Sequence, residues 1–104
     1  MERVGFTMRL LPGQEAEYRR RHAAVWPEML DALRSAGARD YSIFIDGDTL
    51  FAYLEVDDFD AFRSTMAAEP VNDRWQAEMA SLIDPLTDPA TGFHRRLEEI
   101  FHLD

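Results

Sequence analysis

The stretch ARDYSIFIDGDTLFAYLEV, residues 38–56, reads as two β-strands joined by a tight turn. Side chains alternate along a strand with period two, which puts Tyr41, Ile43 and Ile45 on one face of a first strand, Ala38 to Asp46. Leu50, Ala52, Leu54 and Val56 alternate the same way along a second strand, Thr49 to Val56. Between them, Asp46-Gly47-Asp48 is a hairpin signal, because a two-strand turn needs a residue that tolerates positive φ. This hairpin sets the frame for everything on either side of it.

Upstream, Gly37 is placed to close a helix that Pro27 opens. Met29, Leu30, Leu33 and Ala36 form its apolar face. A more polar helix precedes it, from Gln14 to about Val25, and Pro12-Gly13 separates that helix from a strand. In that strand Val4, Phe6, Met8 and Leu10 alternate with Arg3, Gly5, Thr7 and Arg9. Downstream, Asp57 or Asp58 caps a third helix carrying Phe59, Phe62 and Met66 on its buried face. Pro70 breaks it, and a fourth helix follows with Val71, Trp75, Met79 and Leu82/Ile83 at spacings of three and four. Asp84 to Gly92 reads as a loop, and Leu97 to Leu103 as a final strand.

The order predicts an α+β fold of the ferredoxin-like βαββαβ type, one domain over residues 1–104. Helices then cover one face of the sheet. The other face carries Phe and Tyr side chains as well as charges, so a homodimer with facing sheets is expected.

Composition narrows the function. Twenty acidic residues against eleven basic ones give a formal charge of −9, which disfavours nucleic acid and anionic membrane surfaces as partners. A neutral ligand such as a sugar meets no electrostatic penalty. The absence of cysteine excludes disulfides and thiolate metal sites. No signal peptide and no membrane-spanning run are legible, so a cytoplasmic location is expected. There is no glycine-rich phosphate loop, nucleophile elbow or dinucleotide fingerprint.

Tyr18 and His22 stand one helical turn apart on one face. Histidine exchanges protons near neutral pH, but from spacing alone a histidine after an arginine run reads first as an ordinary surface residue. Tyr41 fits either a core position or a ligand wall. Trp75 and Gln76 fit a sugar site, the indole stacking on a pyranose and the amide meeting hydroxyls; Trp75 fits the core equally well. Trp26 reads as an aromatic wedge before Pro27. Arg19, Arg20 and Arg21 read as solvated or paired with Glu15 and Glu17. His94 and His102 have no spacing that suggests a metal.

Taken together, these segments resemble one family. Glu17-Tyr18-Arg19-Arg20-Arg21-His22, followed by Val25-Trp26-Pro27-Glu28, is similar to the E-Y-x-R-R-H-x-x-[IV]-W-P-E signature of L-rhamnose mutarotases. The strands Ala38 to Phe44 and Leu50 to Glu55, the Arg74-Trp75 pair and the ending Ile100 to Asp104 also resemble that family. The resemblance spans essentially the whole chain. It implies a dimeric α/β-barrel acting on L-rhamnose in carbohydrate metabolism, without metal or cofactor. It implies His22 as the proton donor and Tyr18, Tyr41, Trp75 and Gln76 as substrate-binding residues. Gln76 stands where some members carry a second tryptophan, and Asp40 where asparagine is common. A cofactor-free monooxygenase on the same topology and a non-catalytic sugar-binding dimer are the alternatives, since a fold does not fix a function.

Overall fold

The structure, a computed structural model, describes residues 1–104. Strand β1 (Glu2–Leu10) is followed by helices α1 (Glu15–His22) and α2 (Pro27–Ser35). The hairpin β2 (Arg39–Asp46) and β3 (Thr49–Val56) comes next, then helices α3 (Phe59–Ala67) and α4 (Pro70–Met79). Three short strands close the order: β4 (Ile83–Asp84), β5 (Thr87–Asp88) and β6 (Phe93–His94).

The main sheet runs β2-β3-β1-β4 with every pairing antiparallel, which is the ferredoxin-like arrangement. Register explains the core. Val4 lies opposite Leu54, Phe6 opposite Ala52 and Met8 opposite Leu50, while Ile43 and Ile45 meet Ala52 and Leu50 from β2. All of these point to the helix side, where Phe59, Phe62 and Met66 of α3 and Val71, Trp75 and Met79 of α4 meet them. Full burial of a side chain such as Phe6 or Leu54 stabilises the fold by about 1.5–3 kcal/mol.

The helix boundaries follow local chemistry. Helix α1 ends at His22 rather than reaching Val25, because Trp26 precedes a proline and takes an extended backbone, ψ 134°. Gly37 ends α2 at φ +99°, a conformation that favours glycine. Asp58 caps α3, its carboxylate accepting the Ala61 N–H at 3.0 Å.

Three expectations are corrected. Leu82 and Ile83 do not extend α4: the helix stops at Met79, the Leu82 N–H turns back to the Met79 carbonyl, and Ile83 pairs with Leu10. Residues 84–92 are not all loop, because Thr87 and Asp88 pair with His94 and Phe93 in a small hairpin. Leu97 to Leu103 forms no strand. The edge of β1 is occupied by β4 at one end and, at the other, takes only a Phe6–Arg96 bridge and the Leu97 N–H donated to the Gly5 carbonyl at 2.7 Å. Beyond that point the tail has no neighbouring strand to complete a ladder.

The sheet face away from the helices is open and partly apolar. Phe44 lies opposite Phe51, and Leu97 rests over Gly5; their exposures are 64%, 41% and 44%. Ile100, Phe101 and Leu103 are also exposed. Arg3 holds the tail across this face through two hydrogen bonds to Glu99, at 2.9 and 2.8 Å. No helix is long and apolar enough to cross a membrane.

Candidate active site

A cavity of about 380 Å³ lies between the sheet and the helices, a size suited to a small ligand. Phe6, Ile43 and Leu54 form its sheet side, and α1 to α4 supply most of the rest. Its polar lining is short: His22, Tyr41, Asn72, Gln76 and His94, with the indole of Trp75. No Asp, Glu, Lys or Arg lines it.

His22 sits at the last residue of α1, where the helix end presents it to the cavity. Its Nδ1 lies 3.0 Å from the Tyr18 carbonyl. A carbonyl only accepts, so Nδ1 carries the hydrogen and donates it. That leaves Nε2 with no protein partner. No fully buried side-chain nitrogen or oxygen lacks a partner, so this Nε2 is not sealed off from solvent. The ring stacks on Tyr18 at 4.0 Å and meets the edge of Trp75 at 5.4 Å. Burial pushes the His22 pKa below the ordinary histidine value of 6.5, partly offset by the bond to Tyr18.

Tyr18 is buried beneath the His22 ring and is not among the residues that line the cavity. Burial pushes its hydroxyl up to about 12. Its neighbours on α1 are tied down by ion pairs, Arg19 to Glu15 and Arg20 and Arg21 to Glu17, which agrees with the sequence reading of the arginine run.

Tyr41 reaches the cavity through a bulge. Arg39 pairs with Glu55 but Ser42 pairs with Tyr53, so one extra residue is inserted between them. Asp40 absorbs it at φ +50°, in the left-handed region that β-branched residues resist. Asp40→Val is therefore expected to lower unfolding free energy by about 1–3 kcal/mol in a denaturant titration, and Asp40→Asn to leave it within about 0.5 kcal/mol. Tyr41 itself keeps 38% of its surface open, while protein atoms crowd its hydroxyl and raise its pKa, with a smaller contribution from Tyr18.

Trp75 resolves two readings at once. It is buried in the core and it also lines the cavity, packed edge-on against both Trp26 and His22. Trp26 is the wedge expected before Pro27. Gln76 lines the cavity one residue on, its amide nitrogen 3.2 Å from the Asn72 side-chain oxygen. Asn72 in turn donates to the Met66 carbonyl at 3.1 Å.

Asn72 reaches this cavity without having been singled out from the sequence, where His94 is only a histidine whose sharing of a face with His22 no spacing supports. Asn72 is one turn before Gln76 on α4, a spacing that marks it once Gln76 is suspected. His94 is carried in by β6, packed flat on Phe6 at 4.5 Å and 9°. Its Nδ1 is 2.8 Å from the Pro85 carbonyl, and burial lowers its pKa as it does that of His22. His102 lies on the exposed tail, away from this group. No three His, Asp or Glu side chains are grouped to hold a metal ion.

The chain is similar to known proteins over its length. Residues 3–103 match the family model described as L-rhamnose mutarotase. The chain is 47% identical to an L-rhamnose mutarotase of Burkholderia orbicola (strain MC0-3), with all of both chains covered. It is 43% identical to one of Listeria monocytogenes serotype 4b (strain F2365), with 99% of each covered. The crystal structure of L-rhamnose mutarotase FA22100 from Formosa agariphila superposes with a TM-score of 0.81 at 33% identity, again over all of both chains.

Proposed function

The chain belongs to the L-rhamnose mutarotase family, and from that premise we propose how its cavity opens and recloses a free sugar ring. It is an isomerase that interconverts the α and β anomers of L-rhamnose. The relatives described above do not favour the reading of a monooxygenase or of a non-catalytic binder.

Mutarotation breaks the bond between C1 and the ring oxygen, then remakes it on the other face of the aldehyde. Opening requires a proton on the ring oxygen and removal of one from the anomeric hydroxyl. In our proposal His22, protonated at Nε2, gives its proton to the ring oxygen and takes it back on closure. The observation that carries this is the fixed tautomer: with Nδ1 held by Tyr18, only Nε2 is free to act. Tyr18 orients the ring from behind. Tyr41 and Gln76 meet hydroxyls, and Trp75 covers the apolar side of the sugar, including its methyl group. This domain, residues 1–104, needs no metal or redox cofactor for such chemistry. In a polarimeter, freshly dissolved single-anomer L-rhamnose is expected to reach equilibrium faster with the protein than in buffer; an unchanged rate would contradict the reading.

We further propose a homodimer in the cytoplasm. Phe44 and Phe51 on the open sheet face, with the apolar tail beside them, support the dimer, and the cysteine-free composition supports the location. Sedimentation is expected to give twice the 12.0 kDa chain mass, and the double variant Phe44→Glu/Phe51→Glu the mass of one chain. A wild-type protein that sediments as a single chain would contradict the dimer.

A further inference from the structure

We propose that His94 is the second proton-transfer residue of the cavity, taking the proton of the anomeric hydroxyl while His22 protonates the ring oxygen. This rests on the mutarotase reading and supplies the base which that reading leaves unassigned.

The first argument is elimination within the cavity wall. Ring opening needs an acid and a base, and no carboxylate lines the site. Asn72, Gln76 and the Trp75 indole do not titrate near neutral pH. Tyr41 holds its proton more firmly than an ordinary tyrosine. His22 and His94 are the remaining proton carriers.

The second argument is that both histidines are held in the same way. Each stacks on an aromatic ring, His22 on Tyr18 and His94 on Phe6. Each donates Nδ1–H to a main-chain carbonyl, of Tyr18 and of Pro85. Each therefore presents an unpartnered Nε2, and neither nitrogen is sealed off from solvent. The bond at Nδ1 is one that any half-buried histidine makes; what suits each ring to proton exchange is the second nitrogen left without a protein partner.

The third argument is placement. His22 comes from the helix layer and His94 lies on Phe6 of the central strand. A sugar ring in the cavity then has one imidazole from the end of α1 and one from the β5-β6 hairpin that lies on Phe6.

The proton count closes. His94 Nε2 accepts the anomeric proton, the freed electron pair forms the C1 carbonyl, and the C1–ring oxygen bond breaks. The ring oxygen keeps that pair and receives the proton from His22. After rotation about C1–C2 the reverse step closes the ring on the other face and returns the proton to His22. The pair carries one proton throughout, and no co-reactant is consumed.

The test uses the intact protein and L-rhamnose, with the anomer exchange rate read by saturation-transfer NMR. His94→Phe keeps a ring against Phe6 and removes the nitrogen. Its kcat is expected to fall by about 10²-fold or more, with KM within about threefold of wild type. In His94→Ala, added imidazole is expected to restore exchange in proportion to its concentration. Wild-type exchange in His94→Phe would overturn the proposal, as would a loss in folded His94→Ala that imidazole does not recover. If His94→Ala fails to fold, the rate of His94→Phe decides. A wild-type protein with no effect on exchange would instead remove the mutarotase reading itself.

Discussion

His22→Ala is expected to lower anomer exchange by about 10²–10⁴-fold, the usual contribution of a positioned proton-transfer group. The fold should survive. His22 is only partly buried, is the last residue of its helix, and its side chain has one hydrogen bond, to Tyr18. Circular dichroism and the melting curve of the variant should therefore resemble wild type while the rate does not. The same geometry sets a pH dependence. With Nδ1–H already committed, His22 donates from Nε2 only as the imidazolium. Burial lowers its pKa, so the donating form is lost as pH rises through a value below 6.5. The rate should fall on the alkaline side as His22 loses its proton, while a rise on the acid side marks His94 losing its own; a rate with no alkaline fall would contradict the assignment of His22 as acid.

Trp75→Ala carries the second large effect, because one side chain serves core and cavity together. It is 7% exposed and packs edge-on against Trp26 and His22. Truncating a buried tryptophan typically costs about 3–5 kcal/mol, a large share of the roughly 5–15 kcal/mol that holds a domain folded. The alanine variant should melt far below wild type, by denaturant or heat. Trp75→Phe separates the roles: it keeps an aromatic ring in the core, but presents less surface to the sugar. Its expected outcome is a modest loss of stability with a raised KM. A Trp75→Phe protein with unchanged KM would leave Trp75 as a core residue alone.

The parts of the fold that were legible are those with several turns or several alternations. Residues 49–56 show four inward apolar positions in a row, and β3 has those bounds. Phe59, Phe62 and Met66 repeat at helical spacing, and α3 buries all three. The edge elements were not legible, because two-residue strands such as β4, β5 and β6 are too short to show a period. Their existence depends on a neighbour: Ile83 and Asp84 are a strand only because Leu10 and Arg9 lie beside them. The error at residues 97–103 is the converse, a stretch rich in apolar residues with no strand to pair with.

The site divides on the same line. His22, Tyr41, Trp75 and Gln76 lie on long elements that the fold brings to one cavity, but periodicity alone puts only Trp75, with Val71 and Met79, on a buried helix face. Tyr18 shares the face of His22 by helical spacing, but that spacing does not say which of the two reaches the opening. His94 lacked any local signal. It is brought in by a short hairpin, a Pro85 carbonyl and the flat face of Phe6, three features that come from segments far apart in the chain.

The most direct test of the central claim is saturation-transfer proton NMR on equilibrated L-rhamnose, comparing buffer, wild type and His22→Ala. The account predicts accelerated exchange between the two anomeric signals with wild type and a rate near that of buffer with the variant. Full exchange in a folded His22→Ala protein would contradict it.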